Sequence, residues 1–277
     1  MRPLIGRWLV VGGSWWEVPV AWAGSRFAAT AVATMLALAT SSAQRGGAPP
    51  AAPPTPRAAA LFDITGYWVS LVTEDWRYRQ FTPAKGDYVA VPVNPEGKRA
   101  ADAWDPAKDE AAGEACKAYG AAGLMRIPTR LHVTWQDDNT LKLETDAGTQ
   151  TRTFPFGKAL AGAPTLQGSS LASWDQPRAI FASPIPNRGG PQVRGGSLKV
   201  VTTNMKPGYL RKNGVPYSAN AVLTEYFDRL DVPGGESLLV VTTEIVDPEY
   251  LATPYWTSPH FKRVDATGWH PTACTAR

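Results

Sequence analysis

The chain has 277 residues, 44% of them apolar and 19% charged, a balance that excludes a disordered polymer and a multispan membrane bundle. Its net charge of +4 lies wholly in the first sixty residues, where five arginines stand against Glu17 alone. Taking these from the 28 basic and 24 acidic residues leaves 23 of each, so the folded part has no net field to gather phosphates, and no nucleic-acid partner is expected.

In chain order the first element is the apolar run Phe27 to Thr40, preceded by Arg26 and followed by the small residues Ser41-Ser42-Ala43. It is too short to cross a bilayer comfortably and reads as an export signal occupying residues 1–43, so no membrane span is expected after its removal. Residues 44–60 carry five prolines and no patterned apolar face, which describes a semi-extended spacer. A single domain is expected from Leu61 to Arg277. Its two cysteines, Cys116 and Cys274, have no CxxC partner, and an even count in an exported chain reads as one disulfide.

Alternating apolar and polar residues with β-branched and aromatic content predict strands at 65–73, 130–136, 140–147, 150–156, 167–174, 197–205, 221–230, 237–246 and 257–263. Asp137-Asp138-Asn139, Ala147-Gly148 and Pro233-Gly234-Gly235 supply turn residues between them. Nine short strands joined mostly by short turns imply a closed barrel or a two-sheet sandwich. A helical insertion is expected at about 95–120, because Asn94-Pro95 and Asp105-Pro106 each read as an N-cap followed by a first-turn proline. Gly120 is expected to end its second helix, which would then carry Cys116.

Gly66-Tyr67-Trp68 resembles the opening of lipocalin-like barrels, in which the Trp plugs the closed end. The order of the Cys116 region, QGSSLASW, LKVVTTNM, VLTEYFDR and VDPEYLATPYWTS is similar to that in a group of exported bacterial proteins of unassigned function. The resemblance covers residues 61–265. It implies an all-β, mainly antiparallel fold, a lipocalin-like closed barrel with a short helical insertion, and it implies no activity.

Catalytic signatures are absent: there is no GxSxG, HExxH, GxxxxGK[ST] or strand-following GxGxxG. His132, His260 and His270 lie far apart without metal-ligand spacing, so neither metal nor cofactor is expected. More informative are polar residues on patterned strands. Glu225 sits between Leu223 and Phe227 on one strand face, and His132 shares a face with Arg130 and Thr134. Placed inside a barrel, Glu225, His132 and Tyr226 would form an acid and base set for an isomerase, hydratase or cyclase. The other reading makes Glu225 the partner of an arginine on a neighbouring strand and His132 part of a solvated face. Trp68 and Trp135 would supply either packing or stacking surface for a ligand. Tyr209 and Arg211 belong to a loop at 206–214, between strands where a barrel mouth would lie, as binding groups tend to do. These features together give the expectation of a periplasmic or secreted protein that binds a small apolar or amphipathic ligand, with a fully packed envelope protein as the rival.

Overall fold

The computed structural model describes residues 52–176 and 196–277. The expected signal segment at 1–43 lies outside the described residues, as do residues 44–51 of the expected spacer. The spacer's last residues touch the barrel: the Pro56 carbonyl accepts from Trp174 Nε1 at 2.9 Å, and the Arg57 amide donates to Asp138 O at 3.1 Å.

Twelve strands are present among the described residues: β1 Gly66–Leu71, β2 Arg130–Asp137, β3 Thr140–Thr145, β4 Thr151–Pro155, β5 Ser169–Asp175, β6 Ser197–Thr203, β7 Gly208–Arg211, β8 Val215–Tyr217, β9 Val222–Val232, β10 Glu236–Val246, β11 Tyr255–Thr257 and β12 His260–Val264. Nine of them form one barrel-shaped sheet in the order β4-β3-β2-β1-β12-β10-β9-β6-β5, with β11 attached to β10. All nine expected strands are found.

Every neighbouring pair along this path is antiparallel. Eight reversals bring β5 back to the direction of β4, so the pair that closes the ring has to be parallel. Only one parallel bridge, Phe156 to Ala172, joins them. The odd strand number therefore leaves a seam, where an even-stranded lipocalin barrel would close antiparallel throughout.

Inward positions follow the period of two. Leu131 and Val133 on β2, Leu141 and Leu143 on β3, Val200 on β6, Leu239 and Val241 on β10 and Phe261 on β12 are fully buried and pack on one another. Each contributes roughly 1.5–3 kcal/mol relative to exposure. Trp68 is fully buried among them and its indole donates to Ile64 O at 2.8 Å.

The two ends of the barrel differ. Tight turns join β2 to β3 and β9 to β10 at one end, the latter through Gly234 and Gly235, whose φ values of +102° and +85° suit glycine. A chain of aromatic contacts there runs from Trp135 through Phe156 and Trp174 to Phe62. Three long excursions, residues 72–129, 204–221 and 247–259, leave and re-enter at the opposite end. They build a second apolar core there, in which Val93, Leu210, Tyr217 and Leu251 pack on Leu223 of β9 and Ile245 of β10.

The largest excursion holds the helical insertion. Besides α1 (Trp76–Arg79), α2 (Pro95–Asp102) and α3 (Pro106–Ala111) begin where expected, with Asn94 accepting from the Gly97 amide at 2.8 Å and Asp105 from the Ala107 amide at 3.1 Å. The second helix does not reach Gly120. It ends before Gly113, whose φ is +72°, and Cys116 instead leads a short turn at Lys117–Tyr119, followed by α4 (Ala121–Leu124). Cys116 and Cys274 form a disulfide.

The expected loop at 206–214 is also corrected. It is the hairpin β7–β8, and its Arg211 and Asn213 are buried, the Asn213 amide donating to Ala84 O and Asp87 O at 3.1 and 3.0 Å. Its turn needs a glycine at 214, where φ is +84° and a Cβ would collide with the Trp104 ring.

Candidate functional site

The acid and base residues expected from the strand pattern are not brought together. Glu225 points into the barrel, fully buried, as the alternation on β9 requires. Arg152 of β4 meets it with two parallel hydrogen bonds, Nη1 to Oε1 at 2.8 Å and Nη2 to Oε2 at 2.6 Å. Arg152 Nη2 also donates to Thr202 Oγ1 at 3.1 Å, and Thr202 in turn bonds Ser170 at 2.8 Å. The arginine comes from across the seam rather than from an adjacent strand, so this pair ties β4 to β9 beneath β5 and β6.

His132 does not face inward. Leu131 and Val133 fill the inner face of β2, which leaves His132 outside, stacked on Tyr67 at 4.2 Å with Nδ1 at 3.3 Å from Glu144 Oε2. Tyr226 is likewise outside, with the Lys199 ammonium over its ring at 5.5 Å. Trp68 and Trp135 are packing groups, the first in the barrel core and the second in the aromatic chain at the turn end. Among the described residues no group of three His, Cys, Asp or Glu side chains is placed to hold a metal ion.

Convergent polar chemistry lies instead over the end built up by the excursions. There α1 and the chain after it, the segment around α4, and the β7–β8 hairpin enclose a cavity of about 290 Å³. Arg79, Arg126, Arg211 and Lys212 line it, together with apolar and aromatic surface from Tyr78, Phe81, Ile127, Pro128 and Leu210. Three of the cations are deeply buried, with exposures of 6% for Arg79, 5% for Arg126 and 4% for Arg211.

Arg79 and Arg126 are each held in place by part of the fork. Arg79 Nε donates to Arg126 O at 2.9 Å while Nη1 contacts Glu74, and Arg126 Nη2 donates to Asp75 Oδ2 at 3.0 Å. The Arg211 guanidinium lies over the Tyr78 ring at 4.5 Å. In these three arginines five buried guanidinium nitrogens have no hydrogen-bond partner among the described residues: Arg79 Nη2, Arg126 Nη1 and all three of Arg211. Such groups are rare in folded proteins, because each gives up water for nothing. Burial, and after it the Arg126 cation, holds Arg79 below the ordinary guanidinium pKa despite Glu74 and Asp75.

Lys212 completes the cluster at its edge. Its ammonium donates to Thr275 Oγ1 at 2.7 Å and to the Tyr119 phenol at 3.3 Å. Burial alone would raise the Tyr119 pKa, but the Thr275 hydroxyl and the Lys212 charge outweigh it, and the net direction is down. The Cys116–Cys274 bond stands directly behind this wall, three residues from Tyr119 and next to Thr275.

Of the ligand-binding residues expected from sequence, Arg211 therefore lines the cavity. Tyr209 does not, since its hydroxyl donates to Asp109 Oδ2 at 2.8 Å and pins the hairpin to α3. Sequence reasoning missed Arg79 and Arg126, and reached Lys212 only as part of the 206–214 segment. The stretch Trp76-Arg77-Tyr78-Arg79 carried a signal, arginines alternating with aromatic residues next to Glu74-Asp75, but nothing local joins it to Arg126 or Arg211 far along the chain.

No protein-family model matches the chain, and no curated protein matches it. The class of protein is therefore defined by its architecture alone, an antiparallel barrel with a filled inner wall and a cationic cavity built over one end.

Proposed function

We propose that this protein is an exported, lipocalin-like binding protein whose small amphipathic ligand sits in the cavity over the built-up end rather than along the barrel axis. The single observation that carries this reading is the set of buried guanidinium nitrogens left without partners beside an apolar wall. A side wall of that kind suits the body of a small molecule, and the orphaned donors suit an acceptor group on it. The cavity volume lies at the small end for ligand sites. The disulfide is compatible with an oxidising compartment, and no helix among the described residues is long and apolar enough to cross a membrane.

The acid and base reading draws no support: Arg152 neutralises Glu225, and His132 and Tyr226 face away from it. A packed envelope protein is the second reading, favoured by the filled inner wall. Filling the cavity discriminates between the two. Protein isolated from its native compartment should release a small molecule on denaturation, detected by mass spectrometry, and Ile127→Trp should reduce its recovery several-fold while Tyr67→Trp, on the outer wall, should not. Equal recovery from both variants, or none from the wild type, would count against the cavity.

A further inference from the structure

We infer that the head group this cavity takes carries two negative charges on oxygen, as in a phosphate monoester or a pair of neighbouring carboxylates. This rests on the reading of the cavity as a ligand site and adds the chemistry of what enters it. Four cationic side chains line the cavity, and no Asp or Glu is among its lining residues. The two carboxylates in contact with the cluster come from behind: Glu74 holds Arg79 and Asp75 holds Arg126. The other acids nearby are engaged elsewhere. Asp146 accepts from the Thr129 hydroxyl and the Arg130 amide, and Asp109 from Lys117 and Tyr209.

Of the four cations that line the cavity, Arg211 and Lys212 are the two without an acidic partner among the described residues, on consecutive positions of one hairpin. A buried guanidinium with no counter-ion is among the most unfavourable groups a fold can contain. A singly charged ligand would leave one positive charge uncompensated, whereas a doubly charged one balances both. The donor geometry agrees, because arginine forks recognise carboxylate and phosphate oxygens through parallel N–H groups, and the lysine adds a point charge at the rim.

The test is calorimetric titration of the full chain with two matched pairs of probes. Phenyl phosphate, doubly charged well above its second pKa of about 6, is compared with methyl phenyl phosphate, which carries one charge. Phthalate is compared with benzoate in the same way, and benzyl alcohol serves as the neutral probe. The dianion of at least one pair should bind more tightly than its monoanion by about tenfold or more, and the pair that shows the preference identifies phosphate or dicarboxylate as the source. Arg211→Gln should abolish the preference. Because that side chain is buried, Lys212→Gln provides the independent check at the rim and should reduce the preference several-fold in a protein of unchanged melting temperature. Equal affinity for monoanion and dianion in both pairs would overturn the inference, as would a preference that survives both substitutions. Binding of benzyl alcohol alone would overturn it while leaving the binding-protein reading in place; absence of binding by any probe, together with no ligand recovered from the native protein, would remove both.

Discussion

Glu225 shows how a residue can be placed correctly by pattern and still mislead about chemistry. Alternation along β9 puts it inside the barrel, and an inward carboxylate between Leu223 and Phe227 invites a catalytic reading. The arginine that answers it lies 73 positions away, on a strand that reaches it only because the ring nearly closes. Removing one member of such a pair leaves an uncompensated buried charge, which destabilises by about 3–5 kcal/mol, whereas replacing both by apolar groups of similar volume is often neutral. Glu225→Gln is therefore expected to lower stability in urea by roughly that amount. The double variant Arg152→Met with Glu225→Leu should recover most of the loss, and a single substitution with no effect on the unfolding midpoint would show that the pair contributes little. Placement of His132 failed for a simpler reason: alternation tells which residues share a face and not which face looks in. The continuous apolar set Leu131, Val133 and Leu141 decides that, and it leaves His132 outside.

At the scale of elements, the nine barrel strands and the two proline-led helices were legible because each carries its own signal, a period of two or an N-cap with proline next to it. The hairpin β7–β8 was not. Its strands have four and three residues, too short for a periodic signal, and the sequence between Lys206 and Gly214 has the composition of a solvated turn. What makes it a buried element is the Trp104 ring against Gly214 and the Tyr209 hydroxyl on Asp109, both contacts with the helical insertion. The disulfide binds that insertion to the C-terminal tail across 158 positions. In the loop-entropy account a closure of this length contributes about 4–5 kcal/mol. The double variant Cys116→Ser with Cys274→Ser should accordingly melt on the order of 10 °C lower by calorimetry. Because Tyr119 and Thr275 flank the bond, the same variant should also bind phenyl phosphate more weakly. An unchanged melting temperature would mean that the insertion is held by packing alone.

For the whole molecule, the expectation that follows from the leader is processing. Ser41 and Ala43 suit a signal peptidase, so N-terminal sequencing of material recovered from outside the cytoplasm should begin near Gln44, and a chain there that still starts at Met1 would refute export. What the sequence determined by itself was the fold class, the nine barrel strands, the starts of the two proline-led helices and the pairing of the only two cysteines. These depend on neighbours along the chain, or on there being a single possible partner. The tertiary structure alone decided the rest. It set the parity of the ring and its seam, the face that His132 takes, the partner of Glu225, and the gathering of Arg79, Arg126, Arg211 and Lys212 around one cavity. The physical reason is common to all four. Burial and charge compensation act through space between residues that the chain separates by tens of positions, so no local pattern records them.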